Sequence, residues 1–214
     1  MKLRYPGASA AIALLLTSLP CAAWAGMPED VKAINDSWAR ITYTMNGSSH
    51  QAAALDKLAV QAAELVKKYP GQAEPVLWDG IVVSEQANRA NFLHKLSLAT
   101  KARDLIARAY AINPRVANGG AAMSLGVLYY KVPGSPIGFG DKARAQRLLK
   151  EALALDPNGL DANYFYGDYL LGQGDKAVAR SYLQKALRAP HDPARQVWDA
   201  GRRREVQALL AKAA

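Results

Sequence analysis

The sequence is poor in the residues that form covalent cross-links and metal sites. It contains one cysteine, Cys21, and three histidines among 214 residues. A single cysteine cannot form an intramolecular disulfide or supply a cysteine-based zinc site. His50, His94 and His191 are far apart and lack the His-x-x-x-His spacing of a metal-binding helix. We therefore expect no metal and no cofactor.

Recognisable catalytic motifs are also missing. The sequence has no Gly-x-Ser-x-Gly elbow and no Ser/Thr-Lys nucleophile motif. The glycines of residues 134–140 are followed by Asp141 rather than by Lys-Ser or Lys-Thr, which argues against phosphate binding. Glu85 is a candidate acid, but a solvated helix face is the simpler interpretation. We expect a protein that is not an enzyme, with a cell-wall-active enzyme as the least favoured alternative.

Long apolar runs are absent except near the N-terminus. There, Lys2 and Arg4 precede an apolar stretch from Ala8 to Leu19, and Ala23-Trp24-Ala25 follows. This is the order of a secretory signal peptide, and the apolar part is shorter than the ~20 residues that span a bilayer. We predict a cleavable signal peptide over residues 1–25, cleaved after Ala25, and a periplasmic protein. An uncleaved N-terminal anchor is the alternative.

Cys21 raises the question of lipid anchoring, because bacterial lipoproteins are acylated on a cysteine at the end of the signal. Pro20 occupies the position where the lipoprotein pattern has a small residue, so anchoring at Cys21 is disfavoured. Loss of residues 1–25 lowers the net charge from +9 to +7. Export disfavours nucleic acid as a partner and leaves anionic lipid head groups, cell-wall polymers or acidic protein surfaces.

Part of the chain repeats with a spacing of 34 residues. Residues 140–152 recur as 174–186: Gly-Asp-Lys-Ala begins each segment, and a leucine and an alanine follow at equivalent positions. Gly126 and Gly167 precede the two copies, and a more diverged third copy covers residues 80–114. The pattern resembles the tetratricopeptide repeat, a helical hairpin with small residues at the helix crossings and a proline after the second helix.

This resemblance implies an all-α fold, a short helical-hairpin solenoid. We divide the mature chain into an N-terminal helical hairpin (26–72), three tetratricopeptide-like repeats (73–193) and a C-terminal capping helix (194–214). Apolar residues three to four apart support helices on both flanks. Arg202-Arg203-Arg204 are expected on the polar outer face that a solenoid cap requires.

Arrays of this kind bind partners on the concave side, which is built from the first helices of the repeats. Alignment of the copies by their glycines predicts a mostly apolar and aromatic binding face, although burial of these residues as core is an equal alternative. A second predicted contact is the loop inserted in the middle repeat, with Ile137 and Phe139 projecting from it. The predicted concave-face residues are Leu77, Ile81, Met123, Val127, Tyr130, Lys131, Tyr164 and Asp168.

A narrower resemblance covers the central third of the chain. Residues 128–130, 138–143 and 149–153 resemble the T-component family of tripartite ATP-independent periplasmic (TRAP) transporters, which works with a periplasmic solute-binding protein and in some cases as a trimer. We therefore keep two functions open. The first is an exported, non-catalytic protein–protein interaction scaffold. The second is an accessory component of TRAP-type solute uptake that binds a small apolar or carboxylate ligand, with a homo-oligomer as an open possibility.

Overall fold

The structure, a computed structural model, describes residues 26–213. The predicted signal peptide and Cys21 lie outside the described residues. Within that range the chain is all-α, without any β-strand, and none of its helices is long and apolar enough to cross a membrane. The helices are α1 (Met27–Tyr43), α2 (Ser48–Lys68), α3 (Ala73–Arg89), α4 (Phe92–Ile112), α5 (Gly120–Lys131), α6 (Lys142–Leu155), α7 (Leu160–Gly172), α8 (Lys176–Leu187) and α9 (Gln196–Lys212).

Helices α3 to α8 pack as three consecutive hairpins, which confirms the predicted solenoid. Small residues lie where the helices of a pair cross. A Cβ on Gly126 would lie 2.8 Å from Leu149 Cγ, and a Cβ on Gly167 would lie 2.8 Å from Leu183 Cγ. Both distances are too short for a real contact, so glycine is what allows the two helices of each pair to approach.

The insertion in the first hairpin lengthens its helices. Helix α4 has 21 residues, whereas its counterparts α6 and α8 have 14 and 12. Only Ala90 and Asn91 separate α3 from α4, and the Asn91 side chain accepts a hydrogen bond from the His94 backbone amide. The additional residues of this hairpin therefore lengthen α4 at its capped N-terminal end instead of forming a loop.

Helix α9 joins the two ends of the solenoid. It packs against α7 and α8, as a cap would, and also against α1 of the N-terminal hairpin. The Tyr43 ring of α1 covers Gly201 of α9, and the Tyr43 hydroxyl donates a hydrogen bond to Glu205 at 3.2 Å. Arg195 donates a second hydrogen bond between the ends, to Asn35 at 3.2 Å. The solenoid is thereby closed into a ring.

This closure corrects the expectation of a polar outer face on α9. Arg202 is buried, and the Arg203 side chain donates hydrogen bonds to Asp199 and to the backbone carbonyls of Leu187 and Ala189. Only the last of the three arginines is exposed. Arg202 and Arg203 therefore face protein rather than water, because Arg202 packs on Tyr164 and Phe165 of α7 and Arg203 packs on the end of α8.

Candidate functional site: a central cavity

The ring encloses a cavity of about 740 Å³. Its wall is built by the inner helices of the solenoid, α1, α3, α5 and α7, together with α9. The early turns of α4 add Lys95 and Ala99 to the rim. Cavities of this size are typical of sites for small molecules or short peptide segments.

Seven of the eight predicted concave-face residues line this cavity. Leu77 is buried core, with 1% of its surface exposed, whereas Ile81, Met123 and Val127 are half-buried. The structure thus combines the two alternatives, since part of the predicted face is core and the rest borders the cavity. The seven lining residues are Leu77, Ile81, Met123, Val127, Lys131, Tyr164 and Asp168.

Tyr130 is the predicted residue that does not line the cavity. Its ring packs edge-on against Tyr169, with the centroids 5.7 Å apart, and its hydroxyl donates a hydrogen bond of 2.6 Å to Asp168. Both contacts are with α7, the neighbouring inner helix. Tyr130 therefore supports the wall from behind.

Phe139 also differs from the prediction for the inserted loop. Its ring packs edge-on against Tyr129 at a centroid distance of 5.7 Å, and the Arg103 guanidinium lies 4.5 Å from its centre. These contacts hold the loop on the body of the protein. Ile137 projects as expected, with 65% of its surface exposed.

Several lining residues come from helices that the repeat pattern does not cover. Trp38 and Trp78 meet edge-on at 6.1 Å, and Trp198 lies under the Arg195 guanidinium at 3.9 Å. The only signal for Trp38 and Trp198 in the sequence is their place on the apolar side of amphipathic helices. Their position beside the cavity depends on the contact between α1 and α9.

Arg202 is the most buried charge in the cavity wall. It pairs with Asp161 at 2.6 Å and with Glu205 at 2.5 Å, and its guanidinium lies about 4.5 Å from the ring centres of Tyr164 and Phe165. Burial opposes its charge, but the two carboxylates outweigh that effect and raise its pKa. Arg202 therefore remains a permanent cation that ties α9 to α7.

Glu85 is half-buried in the cavity wall, contrary to the solvated position that the sequence suggests. Its side chain is 14% exposed and pairs with Arg89 at 2.8 Å. Burial raises the pKa of the Glu85 carboxyl, and the charge of Arg89 offsets this only in part. The cavity therefore contains a carboxyl group that accepts a proton more readily than an exposed glutamate does.

We expect Glu85→Gln to change the pH dependence of stability. The folded protein holds the Glu85 proton more tightly than the unfolded chain, so ionisation of Glu85 lowers the free energy of unfolding as the pH rises above about 4.5. Urea titrations between about pH 4.5 and 8 should show the variant gaining stability relative to the wild type as the pH increases. Glu64→Gln, which removes an exposed carboxylate, is the matched control.

The charges that line the cavity are balanced in number. Five acidic and five basic side chains contribute to the wall, and most are paired with each other, as Lys131 is with Asp168 at 2.6 Å. Between them lie aromatic and aliphatic surfaces. Within residues 26–213, no group of His, Cys, Asp or Glu is arranged to hold a metal ion. The arrangement can bind an apolar or amphipathic group without net charge.

Three hairpins with small residues at their crossings and a 34-residue repeat give the chain the fold of a tetratricopeptide-repeat solenoid. Residues 137–193 match the family model for the tetratricopeptide repeat, which confirms the resemblance. The fold suggests a protein–protein interaction scaffold.

Similarity to a solved structure supports the fold at low sequence identity. A thermophilic tetratricopeptide-repeat protein of Thermus thermophilus is 17% identical, with a TM-score of 0.60, 89% of this chain covered and 84% of that one. The pilF protein of Pseudomonas aeruginosa is less similar, at 14% identity and a TM-score of 0.36, with 86% of this chain covered and 90% of that one. No curated protein shows significant sequence similarity to the chain.

Proposed function

We propose that this protein is an exported, non-catalytic interaction scaffold of the bacterial periplasm that binds an apolar segment of a partner protein in its central cavity. The observation that carries the proposal is the closed ring around a cavity of about 740 Å³ with aromatic and aliphatic walls. A segment with a few apolar side chains fits this volume, whereas a folded domain does not. The proposed partner is periplasmic or membrane-associated.

The same cavity supports a second candidate, an accessory component of TRAP-type solute uptake. Its volume lies within the range of small-molecule pockets, and a ring closed between α1 and α9 suits a small ligand as well as a peptide segment. In this role the partner is a solute-binding protein, and the cavity holds a small apolar or carboxylate ligand.

One cavity-filling substitution tests both candidates. Val127 lines the cavity, so Val127→Trp places an indole in the lumen, while Val178 is 49% exposed on α8 and Val178→Trp adds the same group outside. We expect Val127→Trp to abolish capture of the partner from periplasmic extract and Val178→Trp to retain it. Ser124 lines the same cavity, so Ser124→Trp replaces Val127→Trp in the experiment if Val127→Trp lowers stability.

The nature of the occupant separates the candidates. Native mass spectrometry of gently purified protein should show no small-molecule adduct if the cavity serves a protein segment. An adduct present in Val178→Trp and absent from Val127→Trp would favour solute uptake instead. Capture of every partner by both cavity-filling variants would rule out binding through the cavity.

Export is tested at the N-terminus of the protein made in bacterial cells. We expect the protein in the periplasmic fraction to begin at Gly26 by mass spectrometry. A mass that includes a diacylated Cys21 would overturn both the cleavage site and the absence of a lipid anchor.

A further inference from the structure

The two most exposed large apolar side chains of the described residues lie at the beginning of α4. Phe92 and Leu93 are 87% and 83% exposed, and Leu96, one turn further on, is 37% exposed. Every residue from Asn91 to Ser97 is exposed, so this end of the helix stands clear of the body. Exposed apolar groups of this size in a contiguous set mark a contact with another surface.

The inserted loop of the middle hairpin extends this apolar surface. A Cβ built on Gly138 would lie 3.3 Å from Leu96 Cδ1, so the loop rests against α4, and the adjacent Ile137 is 65% exposed. The extended start of α4 and the loop between α5 and α6 are the two segments that the repeat pattern does not predict, and they contact each other. We call the surface formed by Phe92, Leu93, Leu96 and Ile137 the apolar wedge.

Basic residues follow the wedge along α4 and follow the inserted loop along α6. Between Glu85 and Asp104 the chain has no acidic residue, but it has Lys95 in the first turns of α4 and Lys101 and Arg103 further along the helix, where Arg103 pairs with Asp104 at 2.8 Å. After the loop, the Asp141 carboxylate accepts a hydrogen bond of 2.9 Å from the backbone amide of Arg144. The basic residues that follow it on α6 are Lys142, Arg144 and Arg147.

We propose that the apolar wedge docks on an anionic lipid bilayer. Phe92 and Leu93 are neighbours on a projecting helix end and are exposed on different sides of it, so they form a convex tip rather than a groove. A convex apolar tip enters a fluid head-group region directly, whereas a protein partner would need a matching pocket. The basic residues of α4 and α6 complement anionic head groups.

Docking in this way also sets the orientation of the cavity. Lys95 belongs to the same exposed turns as the wedge and lines the rim of the cavity. The wedge therefore places that side of the ring against the membrane surface. This inference does not depend on which occupant the cavity takes.

Vesicle flotation tests the wedge with the protein as purified from producing cells, its N-terminus established by mass spectrometry. Vesicles of phosphatidylcholine alone are compared with vesicles that contain about 30% phosphatidylglycerol. We expect binding to the anionic vesicles that weakens with salt, and a loss of about tenfold or more in Phe92→Ser/Leu93→Ser. Val60→Ser/Val178→Ser removes two exposed apolar side chains elsewhere and is expected to bind as the wild type does.

Charge is tested separately with Lys95→Glu, which should weaken binding to anionic vesicles and leave binding to phosphatidylcholine unchanged. Equal flotation of the wild type and Phe92→Ser/Leu93→Ser would overturn the proposal, as would equal binding to both lipid compositions. If the serine variant floats normally but loses a co-purified protein or a self-association seen by sedimentation, the wedge is a protein contact and the lipid proposal is wrong.

Discussion

Arg202→Met is expected to lower the free energy of unfolding by about 3–5 kcal/mol, the cost of breaking a buried ion pair by removing one partner. Methionine retains much of the side-chain length but leaves the Asp161 and Glu205 carboxylates, at 2.6 and 2.5 Å from the arginine, without their cation. It also removes the guanidinium between Tyr164 and Phe165. Urea unfolding at neutral pH measures the loss.

The adjacent arginines allow a matched control. Arg204 is exposed on the same helix, so Arg204→Met should change stability by less than about 0.5 kcal/mol. Addition of Asp161→Asn and Glu205→Gln to Arg202→Met should recover part of the loss, because it removes the uncompensated charges. Equal stability of the Arg202→Met and Arg204→Met variants would show that the buried ion pairs do not hold α9 in place.

Gly201→Ala is expected to destabilise the protein by about 1–3 kcal/mol and to open the ring. A Cβ at this position would overlap the Tyr43 ring, so α1 and α9 must separate or Tyr43 must leave its site and its hydrogen bond to Glu205. Urea unfolding measures the stability. Small-angle X-ray scattering should show an increased radius of gyration, since the contact between α1 and α9 closes the ring.

Gly172→Ala is the control for this substitution. Gly172 lies in α7 with nothing within 4 Å of its Cβ position, so alanine should be neutral or stabilise the helix by about 0.5–1 kcal/mol. If Gly201→Ala leaves both stability and scattering as they are in the wild type, the ring does not depend on close packing at Gly201.

The repeated part of the fold is predictable from the sequence because its signals are local. Helix ends at Ile112 and Leu155 follow from Pro114 and Pro157, which cannot continue a helix. The crossing points at Gly126 and Gly167 recur with the repeats and are where the structure has them. The register of the first helices likewise follows from these glycines, so most of the predicted concave face borders the cavity.

The errors in the sequence analysis have a common cause, since each concerns a contact between distant segments. The hydrophobic pattern of α9 predicts a helix with an arginine-rich outer side, but Arg202 packs on Tyr164 and Phe165 of α7 and is buried there. Phe139 is in an inserted loop, where its partner Tyr129 cannot be read from periodicity. Glu85 is half-buried in the wall of a cavity whose other lining residues come from distant helices.

An all-α solenoid of tetratricopeptide-like hairpins is predictable without coordinates, because glycine, alanine and proline positions act over a single helix pair. Three features appear only in the folded chain: the solenoid closes into a ring, a balanced set of charges and aromatic side chains surrounds a central cavity, and the start of α4 meets the inserted loop in one apolar wedge. These features depend on contacts between residues far apart in the chain, and the spacing of residues in the sequence does not predict such contacts.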